Sequence, residues 1–278
     1  MGTVTVVIPG EDRWFFNELG AGAQDRGAQA GHTVTVCRVA VDAEPGSQAA
    51  DCIDRAFAAE DSLGAIAAGF PYRGAGSDRF LAWKRPLVIV GGSVLGFPVV
   101  SFDDVGIGRT ATKHLLDLGH RRIVHLTGTL APDRAFIYMR RRARGYRMTM
   151  ESAGLMPQTL ESGLTGEELE HAAEMLLMSA ARPTAVFAVH DEVAFTVMDV
   201  AQRLGLQVGR DLSVVGVNDH PDAVARQLTT ARHRPAEVGA VAVQMIIDGL
   251  QPGVGSAVSR LQPSTFIPRS STGRPRAA

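Results

Sequence analysis

The sequence predicts an α/β protein built from two doubly wound parallel-sheet lobes, and three observations carry that prediction. Short β-branched runs alternate with longer helical patterns from one end of the chain to the other, the mark of successive βαβ units. The strand-like runs are apolar along almost their whole length instead of alternating, as expected where helices cover both faces of a sheet. They fall into two series, and 278 residues is more than one minimal core requires.

Taken in order, the first series places strands at 3–8, 33–39, 64–68, 87–90 and 99–102. The second places them at 122–127, 184–188 and 212–217, with a short piece at 228–230. Helices are predicted over 15–30, 47–59, 105–118, 134–153, 166–180, 192–204 and 235–250. Gly31, Gly119, Gly154 and Gly205 follow four of these runs directly, where a residue in the left-handed conformation commonly ends a helix. Residues 272–278 are expected to form a loose tail.

Composition narrows the function classes. Apolar residues at 45% and charged residues at 21% describe an ordinary globular chain. Twenty-eight basic against twenty-nine acidic residues leave a net charge of −1, so no basic surplus points to nucleic acid or an anionic membrane. No apolar stretch approaches the ~20 residues a helix needs to cross a bilayer, so no membrane role is expected. The first strand begins by Thr3 with no charged, apolar leader before it, and a cytoplasmic location is expected. Cys37 and Cys52 are too few for a disulfide framework or a structural zinc site and are expected to fill core positions.

Gly106-Ile-Gly108 superficially matches a dinucleotide loop, but no acidic ribose partner ends the next strand. A Walker loop, an HExxH pair, a GxSxG elbow and a CxxC pair are absent, so no cofactor, no metal and no catalytic residue is expected. Doubly wound sheets bind ligands beyond the carboxyl ends of their strands, which directs attention to the residues after each strand. After the first come Trp14, Phe15 and Phe16, three rings that cannot all face one core. In the run Arg140 to Arg144, the helical turn puts Arg140 and Arg144 on one face and Arg142 roughly opposite. One of them can reach a cleft while the others form a solvated face. His190 to Glu192 open a helix, where Asp191 can serve as N-cap and His190 can meet a ligand.

Several separate motifs follow one another: Asp103 through His114 with Gly119-His120-Arg121-Arg122-Ile123, then Arg142 with Gly145-Tyr146, then Pro183 to Ala188 followed by Asp191-Glu192. Asp211 to Gly216, Leu228 to Thr230 and Arg269 to Thr272 complete the series. In this order they resemble the lactose-repressor and galactose-repressor (LacI) family of bacterial transcription regulators.

The resemblance implies an effector-sensing and dimerisation core of periplasmic-binding-protein type I, with a ligand cleft between two lobes. Residues 1–102 and 232–258 would form one lobe and 103–231 and 259–278 the other, each made discontinuous by crossover segments. The family's helix-turn-helix and hinge helix are not among these residues, so operator DNA would be contacted only through a domain outside this chain. The effector positions it implies are Phe15, Phe16, Asp103 and Arg142, with Trp14 beside them. His190 stands where many members carry asparagine, and Asn218 where many carry aspartate. The mixture of acceptors and donors points to a sugar or polyol as effector. A homodimer is expected. A free-standing sugar-binding protein of the same fold is the alternative, and an enzyme is not expected.

Overall fold

The apolar runs become the interior strands of two parallel sheets. The computed structural model describes residues 1–10, 13–40, 47–70, 85–92, 96–131, 136–249 and 259–276. The chain forms two compact units, one of Met1–Phe102, Pro132–Ile137 and Arg234–Gln262, the other of Asp103–Ala131, Tyr138–His233 and Pro263–Ala278.

In the first unit the sheet contains β1 (Thr3–Pro9), β2 (Thr33–Val39), β3 (Ser62–Ala68), β4 (Leu87–Val90), β5 (Val99–Phe102) and β11 (Arg260–Gln262). Its order is β11-β5-β4-β3-β1-β2, with every pair parallel. Helices α1 (Trp14–Gln29), α2 (Ser47–Ala58) and α8 (Pro235–Gly249) pack against it. Strands β1, β3 and β4 are buried almost throughout, as two-sided coverage requires.

In the second unit the sheet contains β6 (Ile123–Thr127), β7 (Gln158–Glu161), β8 (Ala185–Ala188), β9 (Ser213–Asn218), β10 (Thr229–Arg232) and β12 (Thr265–Ile267). The order is β12-β10-β9-β8-β6-β7, parallel except for the β10–β12 pair. Its helices are α3 (Asp104–Asp117), α4 (Ile137–Ser152), α5 (Gly166–Met178), α6 (Asp191–Arg203) and the single turn α7 (Asp222–Ala225). The four glycines expected after helices have φ of 74°, 103°, 70° and 73°.

Four expectations need correction. Cys37 and Cys52 do pack on the core cluster of Val7, Ile53 and Ile89, but they are more than fillers, since that shared cluster brings them together as a disulfide between β2 and α2. Residues Arg260–Gln262 pair with β5 in the first sheet, although everything from 259 was assigned to the other lobe. The pairing covers what would be an open edge of β5. Strand β7 carried no sequence signal because its Gln-Thr-Leu-Glu is mostly exposed and polar. The buried Tyr146 hydroxyl anchors it, lying 2.7 Å from Ile123 O and 2.9 Å from Gln158 O and accepting from Gln158 N–H at 2.8 Å.

The tail is also tied down as far as it is described. Gly273 N–H donates to Ser213 Oγ at 3.0 Å, and Arg276 pairs with Asp211 at 2.8 Å. His120 explains the rest, since the buried ring sits 2.9 Å from each of Thr184 Oγ1, Ser213 Oγ and Gly273 O. Residues 277–278, 250 and 134–135 of the expected elements lie outside the described residues.

Candidate functional site

Four of the seven expected site residues, Asp103, Arg142, His190 and Asn218, belong to the second unit, at or near the carboxyl edge of its sheet. Asp103 is the N-cap of α3, and its Oδ1 accepts from Gly106 N–H at 2.8 Å. A Cβ at Gly106 would lie 2.1 Å from Asp103 Oδ2, and one at Gly108 would lie 2.2 Å from Arg142 O. The glycine pattern that superficially suggested a dinucleotide loop therefore serves the cap and the close crossing of α3 with α4.

That crossing places Arg142. Its Nε donates to Asp104 Oδ1 at 2.9 Å, its Nη1 donates to Val189 O at 2.6 Å, and its guanidinium stacks 4.8 Å above the Tyr138 ring. Arg142 and Asp104 are 4% and 2% exposed, so this is a buried ion pair. Burial raises the Asp104 carboxyl above its ordinary range against the pull of Arg142. Arg144 is exposed and Arg140 half-buried, so of this run it is Arg142 that turns inward. Among the described residues the Nη2 group of Arg142 makes no hydrogen bond, which leaves fixed donors beside Val189.

His190 follows β8 in extended conformation and is the N-cap of α6, without a side-chain cap bond. Its Nδ1 lies 3.1 Å from Glu192 Oε2. Burial alone would raise the Glu192 carboxyl, but the charge and hydrogen bond of His190 outweigh it and hold the group down at about 2. Asp191 does not cap its own helix as expected. Its Oδ1 accepts from Thr230 Oγ1 at 2.6 Å and its Oδ2 from His220 N–H at 2.7 Å, because the carboxylate turns toward β10 and the segment after β9. Burial pushes the Asp191 carboxyl up to about 7, against those two hydrogen bonds. Asn218 ends β9, the strand beside β8, and is 6% exposed.

The other three expected residues open α1 in the first unit. Phe16 is taken up by the core at 4% exposure, edge-on to Phe15 at 5.5 Å. Phe15 is half-buried and meets Phe102 at 6.3 Å, and Trp14 is half-buried. Sequence reasoning missed Asp104, Glu192 and Tyr138. Only the charge of the first two could have signalled them, since their partners lie on other elements or across a helix start.

Among the described residues no helix is long and apolar enough to cross a membrane, and no group of three His, Cys, Asp or Glu side chains is placed to hold a metal ion. In α/β proteins, polar groups beyond the carboxyl edge of a largely parallel sheet, as in the second unit, are where small molecules commonly bind. Residues 112–272 match the model of the periplasmic binding protein-like domain, and the chain belongs to that family. The arabinose metabolism transcriptional repressor of Halalkalibacterium halodurans is 33% identical over 160 residues, 55% of this chain and 41% of that protein. The chain thus spans about two fifths of that curated relative. The crystal structure of a LacI family transcriptional regulator from Mycobacterium smegmatis aligns at 26% identity and TM-score 0.80, covering 98% of this chain and 100% of that one. A LacI family regulator from Enterococcus faecium with bound ribose has the same fold, with TM-score 0.84 at 22% identity over 99% of this chain and 100% of that one.

Proposed function

We propose that this chain is the effector-sensing core of a LacI-type transcription regulator, acting in the cytoplasm as a homodimer and controlling operator binding by the whole regulator. The effector is a sugar or polyol. The observation that carries this reading is Arg142, a buried guanidinium pinned by Asp104 and Val189 with donors left over at the strand edge. Asp103 accepts, Arg142 donates, and His190 and Asn218 can do both, a set suited to hydroxyls that are themselves donors and acceptors. A strongly anionic ligand would meet one firm cation beside the Asp103, Asp104 and Glu192 carboxyls. Trp14 and Phe15, after β1, are the effector residues proposed for the first unit, and Phe16 supports them from the core. The arabinose repressor and the ribose-bound regulator support the sugar class.

A thermal-shift panel of pentoses, hexoses, disaccharides, polyols, purines and organic acids tests this. A binding sugar present at ~100 times its dissociation constant adds about 2.7 kcal/mol of stability. A shift with purines or acids and none with any sugar or polyol would overturn the effector class.

A further inference from the structure

The turn that follows β9 is strained, and several elements grip it. Asn218 has φ 126° and Asp219 has φ 56°, values that residues other than glycine rarely adopt and keep only where the surroundings over-determine them. Asp219 Oδ2 accepts from Arg232 Nε at 2.6 Å and its Oδ1 from Arg269 Nη2 at 2.6 Å. Arg269 is itself fixed, its Nη1 donating to Leu228 O at 2.6 Å. The next residue is held by Asp191, whose carboxylate takes His220 N–H and Thr230 Oγ1, while Asn218 O accepts from His233 N–H at 3.1 Å. Gly216 leaves room for this grip, because a Cβ there would lie 2.2 Å from Asp191 Oδ1. The holding residues come from α6, β10 and the segment after β12, and two of them, Asp191 and Arg269, stand in motifs that the effector reading does not use.

The grip closes on the backbone and on Asp219, whereas the Asn218 carboxamide makes no hydrogen bond among the described residues. A turn kept for the fold alone would be served better by glycine at 218, which adopts positive φ without a Cβ clash. We propose that Asp191, Asp219, Arg232 and Arg269 are positioning residues that hold Asn218 in a strained backbone so that its carboxamide is presented, pre-oriented, to a hydroxylated ligand. This rests on the effector reading of Asn218, so the primary test uses no ligand.

The full chain is compared with Asn218→Gly, Asp219→Asn and Arg269→Lys by ligand-free thermal melting and by hydrogen–deuterium exchange. Asn218→Gly is expected to melt higher than wild type, because the strain goes while the grip stays. Asp219→Asn is expected to melt lower and to speed exchange at 218–220 by about tenfold, with 185–188 and 213–217 unchanged. If Asp219→Asn does not fold, Arg269→Lys, which keeps the charge but not the fork, is expected to show the same local loosening. A melting point for Asn218→Gly at or below wild type, or unchanged exchange in the grip variants, overturns the proposal. In the second arm, titration with D-ribose, D-xylose and D-glucose separates the two readings. Any of them that binds wild type should bind Asn218→Gly and Asp219→Asn about tenfold or more weakly, and equal affinity overturns the positioning role. If none binds any of the proteins, the failure falls on the sugar reading and the melting and exchange results decide the strain.

Discussion

At the scale of single residues, the proposed effector contact of Arg142 would couple binding to stability. Truncating one partner of a buried pair leaves the other charge unpaired, so Arg142→Ala should cost about 3–5 kcal/mol in urea unfolding, measured without ligand. The apolar pair Arg142→Met with Asp104→Leu should recover most of that loss while still failing to bind any sugar that wild type binds. Exposed neighbours behave otherwise, and Arg144→Ala should stay within about 0.5 kcal/mol of wild type. If the double variant is as unstable as the single one, the loss arises from lost packing and not from an orphaned carboxylate.

A second residue-scale prediction concerns acid. His125 is fully buried between Tyr146 and Phe187, with Nδ1 2.9 Å from Phe187 O, and burial brings its ring down to about 4. Its folded value lies below the unfolded one, so the stability it confers is complete above pH ~6.5 and is lost as pH falls toward 4. The full loss is about 3 kcal/mol. Asp191 has the opposite sign, since a raised carboxyl contributes stability that is lost as pH rises through about 7. The unfolding free energy of His125→Leu should therefore fall less than that of wild type between pH 7 and pH 5. Parallel curves for the two proteins would sink this assignment.

At the scale of elements, the α3–α4 crossing decides where Arg142 sits. A Cβ at Gly145 would lie 2.1 Å from Val105 O and 2.9 Å from Arg109 N, so the two backbones touch there. Alanine is worth about 1 kcal/mol over glycine in an exposed helix interior. The clash with backbone atoms outweighs that gain, and Gly145→Ala should lower the unfolding free energy by about 2 kcal/mol or more, within the range seen for overpacked cores. An unchanged or raised midpoint would show that the helices can part freely. Tyr146 acts on a whole strand: Tyr146→Phe leaves Gln158 N–H without its hydroxyl acceptor and should cost about 1–3 kcal/mol, read as faster hydrogen exchange in β7. Interior strands were legible in the sequence because continuous apolar runs report two-sided burial. The edge pieces β7 and β11 were not, because each is three or four residues long and is held by a partner distant in sequence.

At the scale of the whole molecule, charge and symmetry set the expectations. A chain with net charge −1 brings no basic surplus to the several phosphates on which duplex binding depends, so these 278 residues alone should show no salt-sensitive, sequence-specific binding to a promoter fragment in a gel-shift titration. Isologous pairing should give a sedimenting species of about 59 kDa, twice the 29.5 kDa chain mass. A species of chain mass alone at tens of micromolar protein would refute the dimer.

By itself the sequence determined the α/β class, the two series of buried strands, most helix ends and the family, because each of these depends on local periodicity, capping glycines and ordered motifs. Arg142 was legible in two steps: helical phase put it opposite Arg140 and Arg144, and the family resemblance picked it out of that run. Only the tertiary structure decided that Asp104 is its partner, that Asp191 bonds to β10 instead of capping α6, that Cys37 meets Cys52, and that Arg269 and Arg232 grip a strained turn at Asn218. Each of those facts is a contact between different elements. The physical reason is that pairing energies of buried charges and hydrogen bonds depend on distance and direction in three dimensions, which residue order and spacing do not encode.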